Sequence, residues 1–301
     1  MELKTLEYFL TIAQKQNITK AADVLHVSQP SLSLQMKNLE SELGKTLLLR
    51  GTKGAKNTTL TDEGRILRNR ATEILKLVQK TKAEIEYASD IVSGNVYLSI
   101  AETSLTCYLA TAGKLLREKY PGIKIHIQSG TAIFVQDQID NGLADFGLTF
   151  ALNLDKKKYN VLPVPGANIW GLLIRKDSPL ANHKDISPND LATEPLIIPE
   201  RMLTNNELTH WLGVKPDQLN LVGTCTLFYN AAILAETGIG SVIVLDSMLK
   251  NTGDDSPLKF LPFSPRLEAR TLIYYEKYKH MSRAAQKYLE FLKLTLDQVK
   301  I

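Results

Sequence analysis

Cysteine occurs only twice in 301 residues, at Cys107 and Cys225, which excludes a disulfide-stapled scaffold and a cysteine-based zinc site. Histidine is also sparse. His26, His126, His183, His210 and His280 are scattered without metal-ligand spacing, and no His-Glu-x-x-His is present. No apolar stretch approaches the roughly 18 residues needed to span a bilayer. The first residues read as an amphipathic helix rather than as a charged segment leading into an apolar run. A cytoplasmic protein with no membrane partner is therefore expected. Phosphate-cradling loops are missing too: there is no Gly-x-x-x-x-Gly-Lys-Ser/Thr and no Gly-x-Gly-x-x-Gly after a strand. Gly238-Ile239-Gly240 precedes a strand instead of following one, so a tight turn is its expected role. Neither an enzyme nor a bound cofactor or metal is expected from this inventory.

The chain is 44% hydrophobic and 23% charged, an ordinary globular composition long enough for more than one domain. The net charge of +4 permits nucleic-acid binding only if the cations cluster. They do: Lys37, Lys45, Arg50, Lys53, Lys56, Arg65, Arg68 and Arg70 crowd the first quarter of the sequence.

The stretch from Ser28 to Leu43 reads as a helix with two distinct faces. Ser28 is a good N-cap and Pro30 lies where a missing N–H costs little. Leu32, Met36, Leu39 and Leu43 fall on one stripe that must bury. Off that stripe, Ser31, Ser33, Gln35, Lys37 and Asn38 form a donor and acceptor set that reads base edges and binds phosphate. Upstream, Leu3, Leu6, Phe9, Leu10 and Ala13 mark a first amphipathic helix, followed by a break at Gln16-Asn17 and a short helix capped by Thr19. Small Ala21 and Ala22 let this second helix approach the third, and Leu25 to Ser28 form the tight connection of a helix-turn-helix. His26 is a surface residue of that turn. Downstream, extended pieces at Thr46 to Arg50 and Asn57 to Leu60 flank a tip carrying Lys53 and Lys56. With Arg50 at its base, this wing is placed to meet phosphates or the minor groove.

Residues 1 to about 65 resemble the winged helix-turn-helix of the LysR-type transcriptional regulators. The resemblance is carried by Phe9, Ala21-Ala22, Leu25, Ser28-Gln29-Pro30-Ser31-Leu32-Ser33, Gln35, Leu39-Glu40, Leu43-Gly44, Leu47, Arg50, Leu60-Thr61 and Gly64. Leu48 stands where that family usually has Phe, and the wing is longer than usual within Thr52 to Thr59. The DNA-binding set expected from residues and resemblance together is Ser28, Gln29, Pro30, Ser31, Ser33, Gln35, Lys37, Arg50, Lys53 and Lys56.

A long helix follows. Leu67, Ala71, Ile74, Val78, Thr81, Ile85 and Ala88 are spaced alternately by four and three, a heptad seam expected to pack on a second chain. The resemblance agrees, because this family dimerises through a linker helix. Beyond Gly94, strands and helices alternate in the order βαβαβ, which implies mostly parallel sheets with ligand sites at the carboxyl ends of strands. The second strand set is read at Ile169 to Arg175, Leu196 to Ile198, Gln218 to Val222 and Ser241 to Leu245. The crossings between lobes are read at Tyr159 to Pro165 and Leu261 to Leu267. Gly94, Tyr120-Pro121, Gly142-Leu143-Ala144-Asp145 and Gly238-Ile239-Gly240 make this region similar to the same family's effector domain, a relative of two-lobed periplasmic solute-binding proteins. Asp246 replaces a Pro often found there.

The expected fold is thus α/β: a winged helix-turn-helix over 1–65, a dimerisation helix over 66–91, and a two-lobed domain over 92–301. Lobe I takes about 92–160 and 268–301, and lobe II about 161–267. The expected function is a DNA-binding regulator, dimeric or tetrameric, controlled by a small, anionic metabolite, with an RNA polymerase contact left open. The effector residues expected from the strand-end rule and the resemblance are Thr103, Ser104, Ser129, Gly130, Thr131, Pro199, Arg201, Leu203, Cys225 and Thr226. Arg201 is the cation suited to a carboxylate. Three alternatives stay open: a redox-sensing regulator using Cys107 and Cys225 near helix starts, as in some relatives; a solute-binding protein; and a small-molecule enzyme. Residues 1–65 argue against the last two.

Overall fold

The structure, a computed structural model, describes residues 1–50, 57–86, 92–150, 154–204, 206–213, 218–246 and 256–298. It divides into two compact units, residues 1–86 and 87–301.

The first unit contains α1 (Leu3–Lys15), α2 (Ile18–Leu25), α3 (Gln29–Leu43), β1 (Leu48–Arg50), β2 (Thr58–Leu60) and α4 (Asp62–Glu86). Helix α1 ends where Gln16 turns left-handed at φ 50°. Helix α2 is capped by Asn17, whose side chain accepts the Lys20 N–H at 3.0 Å. The cap is therefore Asn17 and not Thr19, because the chain re-enters the helix one residue after the break. Phe9, Ile12, Ala21, Ala22, Leu32, Met36, Leu39, Leu47 and Leu48 form the core. Leu48 fills the place expected for a larger ring. Leu43 does not join the stripe. It is 40% exposed, since Gly44, left-handed at φ 62°, ends α3 there and turns the chain away. The wing strands pair antiparallel, Leu48 with Leu60 and Arg50 with Thr58. They are shorter than the sequence pattern suggests.

Glu40 ties α3 to the wing: one carboxylate oxygen accepts the Leu47 and Leu48 N–H groups at 2.8 and 3.0 Å. Both residues are buried, so Glu40→Ala strands two amides. The expected cost is about 2 kcal/mol, read as a drop in melting temperature of the full chain together with weaker DNA binding. Unchanged melting would contradict this anchoring role. Gly64 is glycine for a steric reason, because a Cβ there would lie 2.2 Å from the Leu47 carbonyl oxygen.

The heptad seam divides in two. Leu67 is half-buried against the winged core and Ala71 is fully buried, with α1 packed on α4. Their own domain thus covers Ala71 fully and Leu67 in part, where the heptad spacing assigns both to a partner. Ile74 and Val78 are half-buried and Thr81 is exposed. Ile85 is 70% exposed, and Ala88 lies outside the described residues.

The second unit contains β3 (Gly94–Ile100), α5 (Thr106–Lys119), β4 (Ile123–Ser129), α6 (Ala132–Asp140), β5 (Phe146–Phe150), β6 (Tyr159–Pro163), β7 (Asn168–Arg175), β8 (Leu196–Pro199), α7 (Glu200–Thr204), α8 (Asn206–Leu212), β9 (Leu221–Cys225), α9 (Phe228–Glu236), β10 (Ser241–Leu245), β11 (Leu258–Pro262), β12 (Glu268–Ala269), β13 (Thr271–Glu276) and α10 (Arg283–Gln298). Lobe I has the sheet order β4-β3-β5-β13-β6, with β4, β3 and β5 parallel and β13 antiparallel to both of its neighbours, β5 and β6. Its core joins Val96, Leu98, Phe146 and Leu148 to Leu109, Leu116, Tyr288 and Leu292 of the covering helices. Lobe II has the order β11-β7-β10-β8-β9, with β12 paired to the start of β7. The period of two along its strands sends Leu172, Ile198, Ile243 and Leu245 to one face. Leu173, Ile197, Val242 and Val244 go to the other, under Ala231 and Ala235 of α9.

Three placements differ from the sequence pattern. Strand β9 lies at Leu221–Cys225, three residues later than expected, and pairs with β8 through a register shift at Leu196/Ile197. Tyr159–Pro163 is not a crossing, because it pairs with β13 inside lobe I. Leu261 belongs to β11, paired with β7. The first crossing is thus shorter, at 164–167, the second is shifted to 263–270, and they meet where Asn168 pairs with Ala269.

Candidate DNA-reading helix and effector cleft

Helix α3 presents its reading face as its sequence dictates. Ser28 caps it by accepting the Ser31 N–H at 3.3 Å, and Pro30 sits in the first turn. Gln29, Pro30, Ser31, Gln35 and Lys37 are exposed, and Ser33 is half-buried. At about 100° per residue, Gln29, Pro30, Ser33 and Lys37 share one flank. Ser31 and Gln35 lie on the other, so the set is not a single ridge. The Gln29 carboxamide N–H donates to the Ser33 hydroxyl at 2.8 Å, which fixes the amide's direction along the helix. Arg50 is the last residue of β1, but its side chain, Lys53 and Lys56 lie outside the described residues.

In the two-lobed unit, the carboxyl ends of lobe I strands meet lobe II. Ala101 and Phe150 are buried in the same apolar cluster as Trp170, Met202 and Leu245. Around this floor stand three polar bridges. Thr103 donates its hydroxyl to the Asn168 carbonyl oxygen at 3.3 Å and accepts the Leu105 N–H at 3.2 Å. Asn168, only 1% exposed, passes its own amide on to Thr271 at 2.7 Å and thereby ties both crossings together. Glu102 reaches across to accept the Phe228 N–H at the start of α9, at 2.6 Å. The guanidinium carbon of Arg201, at the start of α7, lies 4.8 Å from the centre of the Phe150 ring, a cation–π contact across the lobes.

The expected effector residues fare unevenly against this geometry. Thr103 and Arg201 stand at the interlobe floor, and Ser104 is half-buried beside Thr103. Thr131 caps α6 by accepting the Phe134 N–H at 3.3 Å. Gly130 donates its N–H to Ile100 at 3.0 Å, while Ser129 and Thr226 are exposed and Pro199 is half-buried. Leu203, partly buried, packs against the apolar cluster that forms the interlobe floor. Its position one helical turn into α7 sends the side chain inward. Cys225 ends β9 and does not sit in a loop. The thiol is pushed up to about 11 by burial and by the carboxylates of Glu200 and Glu102. That is the opposite of the acidic thiol expected for redox chemistry.

Iodoacetamide at pH 7.5 should accordingly alkylate exposed Cys107 well before Cys225. The rate at Cys225 should still be rising above pH 10, as peptide mass spectrometry would record. Faster labelling of Cys225 at neutral pH would contradict this assignment.

Glu102, Asn168 and Glu200 carry no signal in the sequence that marks them for the cleft. Glu102 lies two residues past the end of β3, where the strand-end rule points, beside the hydroxyls of Thr103 and Ser104. Asp246 accepts the Ile169 N–H at 2.9 Å, which explains why a carboxylate stands where a proline is frequent. A groove of about 750 Å³ between α5 and edge strand β4, lined by Leu109, Lys114, Arg117, Ile125 and Ile127 among others, shares no residue with the cleft. Among the described residues, no three His, Cys, Asp or Glu side chains gather to hold a metal. No described helix is long and apolar enough to cross a membrane.

A winged helix-turn-helix and a two-lobed α/β domain on one chain define a regulator with a DNA-binding part and a ligand-binding part. Residues 3–65 match the model of the bacterial regulatory helix-turn-helix protein, lysR family, and residues 90–297 match the LysR substrate binding domain. The chain belongs to the LysR family of transcriptional regulators. It is 35% identical to the HTH-type transcriptional regulator BsdA of Bacillus subtilis over 154 residues, about half of each chain (50% and 51%). It is 28% identical to the regulator CysL of the same organism, over 83% of this chain and 82% of that one. In fold it is similar to the crystal structure of CbnR, a LysR family regulator, with a TM-score of 0.74, 19% identity, and coverage of 98% of this chain and 99% of that one.

Proposed function

We propose that the protein binds a DNA operator as a homodimer, or a dimer of dimers, and responds to a small anionic metabolite held between the lobes of residues 92–301. The observation that carries the DNA reading is the face of α3 opposite its buried stripe. The surface left outside that stripe carries Gln29, Ser33 and Lys37 on one flank and Ser31 and Gln35 on the other, and no acidic residue before Glu40, whose carboxylate is itself turned to the wing. Gln29, Ser33 and Gln35 read base edges, with Ser28, Pro30 and Ser31 setting the helix against the backbone. Lys37, Arg50, Lys53 and Lys56 bind phosphates. Within the linker helix of residues 66–91, the part beyond Ala71 pairs the chains, and the site of action is the cytoplasm, where an RNA polymerase contact would follow operator binding.

For the effector, Arg201 supplies the positive charge and Thr103, Ser104 and Thr131 the hydroxyls. Charge in the cleft is divided: Glu102 and Glu200 concentrate negative charge beside Cys225, so an anionic group belongs on the Arg201 side. Metabolites should be screened by thermal shift on the full chain. A carboxylate hit should lose roughly tenfold to a hundredfold in affinity with Arg201→Gln, the loss of a charge-assisted hydrogen bond. Thr131→Ser, which keeps the α6 cap, should bind nearly as well as the wild type. A hit whose affinity survives Arg201→Gln would displace the site.

A further inference from the structure

Leu34 is 59% exposed in the middle of α3. Lone exposed leucines are ordinary on protein surfaces, but the position of this one is not. At about 100° per residue, it lies roughly 170° around the helix from the mean direction of Leu32, Met36 and Leu39, the three residues buried in the winged core. It is therefore the outermost point of the helix. Pro30 and Lys37 flank it, and Ser33, next in the chain, holds Gln29 by a 2.8 Å hydrogen bond. A branched apolar side chain at the crest of an otherwise polar reading face has no hydrogen bond to offer a base. In the major groove the one apolar feature it can meet is the C5-methyl group of thymine.

We infer that Leu34 is a specificity-determining residue that selects thymine by covering its methyl group. The inference rests on α3 lying in the major groove. It adds to the polar readers a contact that is insensitive to salt and blind to hydrogen-bond pattern. Each half-site should therefore contain a thymine whose identity depends on Leu34 alone.

The test uses the full chain and a duplex selected by it from a random-sequence library. Each thymine is replaced in turn by deoxyuridine, which removes only the methyl. Wild-type protein should lose about fourfold in affinity at one position per half-site, the effect of burying one methyl group, and little elsewhere. Leu34→Ala, an exposed and helix-favouring change, should bind the thymine and uracil duplexes equally at that position. Leu34→Arg should shift the preference there toward guanine. If Leu34→Ala retains the same deoxyuridine penalty, or no thymine shows one, the inference fails. Failure of the groove assignment is separately visible: Gln29→Ala would then leave specific and nonspecific affinities in their wild-type ratio.

Discussion

Glutamate placed at both Ile74 and Val78 should dissociate the dimer. Both positions lie beyond Ala71, after the part of α4 committed to its own domain, and both are half-buried in the single chain. The apolar surface left for a partner therefore begins at Ile74 and runs to Ile85, 70% exposed. A carboxylate buried without a partner costs several kcal/mol, of the order of 3–5 in comparable interiors. That corresponds to about a thousandfold or more in the dimer dissociation constant. Sedimentation equilibrium should show monomers at micromolar concentration, with operator affinity falling in parallel because two half-sites can no longer be held by one particle. Leu67→Glu supplies the contrast: its side chain packs on the winged core, so it should lower the melting temperature of that domain. A double glutamate variant that stays dimeric and binds normally would move the interface off α4.

Replacing Gln29 by alanine should cost roughly tenfold to a hundredfold in the ratio of specific to nonspecific binding, the worth of about 1–3 kcal/mol for one paired base contact. Its carboxamide is held by Ser33, leaving the carbonyl oxygen and the second N–H for a base edge, the pattern that matches adenine. Ser33→Ala should lose part of the same discrimination by freeing that amide. The double variant should lose less than the sum, because one contact cannot be lost twice. Lys53→Ala should instead weaken binding to all DNA alike and lower the salt slope by about one. Filter or fluorescence titrations at fixed salt, against operator and random duplexes, separate the two behaviours. An unchanged ratio for Gln29→Ala would remove α3 from the groove.

Much of this architecture was legible in the sequence because its signals are local. A cap at Ser28, a three-and-four stripe through Leu32, Met36 and Leu39, and a break at Gln16-Asn17 each act within a few residues. The sequence places the cap of α2 at Thr19 and the fold places it at Asn17, because two good capping residues stand two positions apart. The heptad spacing from Leu67 was real, but periodicity identifies a buried face without saying what buries it. Leu67 and Ala71 proved to be covered within their own unit. The sequence pattern places β9 three residues early, because Gln218 to Val222 alternates polar and apolar residues more cleanly than Leu221 to Cys225, an edge strand that only its pairing with β8 defines. The cleft was legible as a place but not as a set of contacts. Glu102 reaching Phe228 and Asn168 reaching Thr271 join residues more than 100 apart in the chain, which no local pattern announces.

The regulator account is tested most directly by selecting DNA from a random-sequence library with the full-length protein and titrating the winners against the starting pool at fixed salt. It predicts convergence on an inverted repeat whose half-sites lie a whole number of helical turns apart, about 10 base pairs each. It also predicts that the selected duplex binds at least a thousandfold more tightly than the pool. Sequences that fail to converge, or a selected duplex bound no better than random DNA, would contradict it.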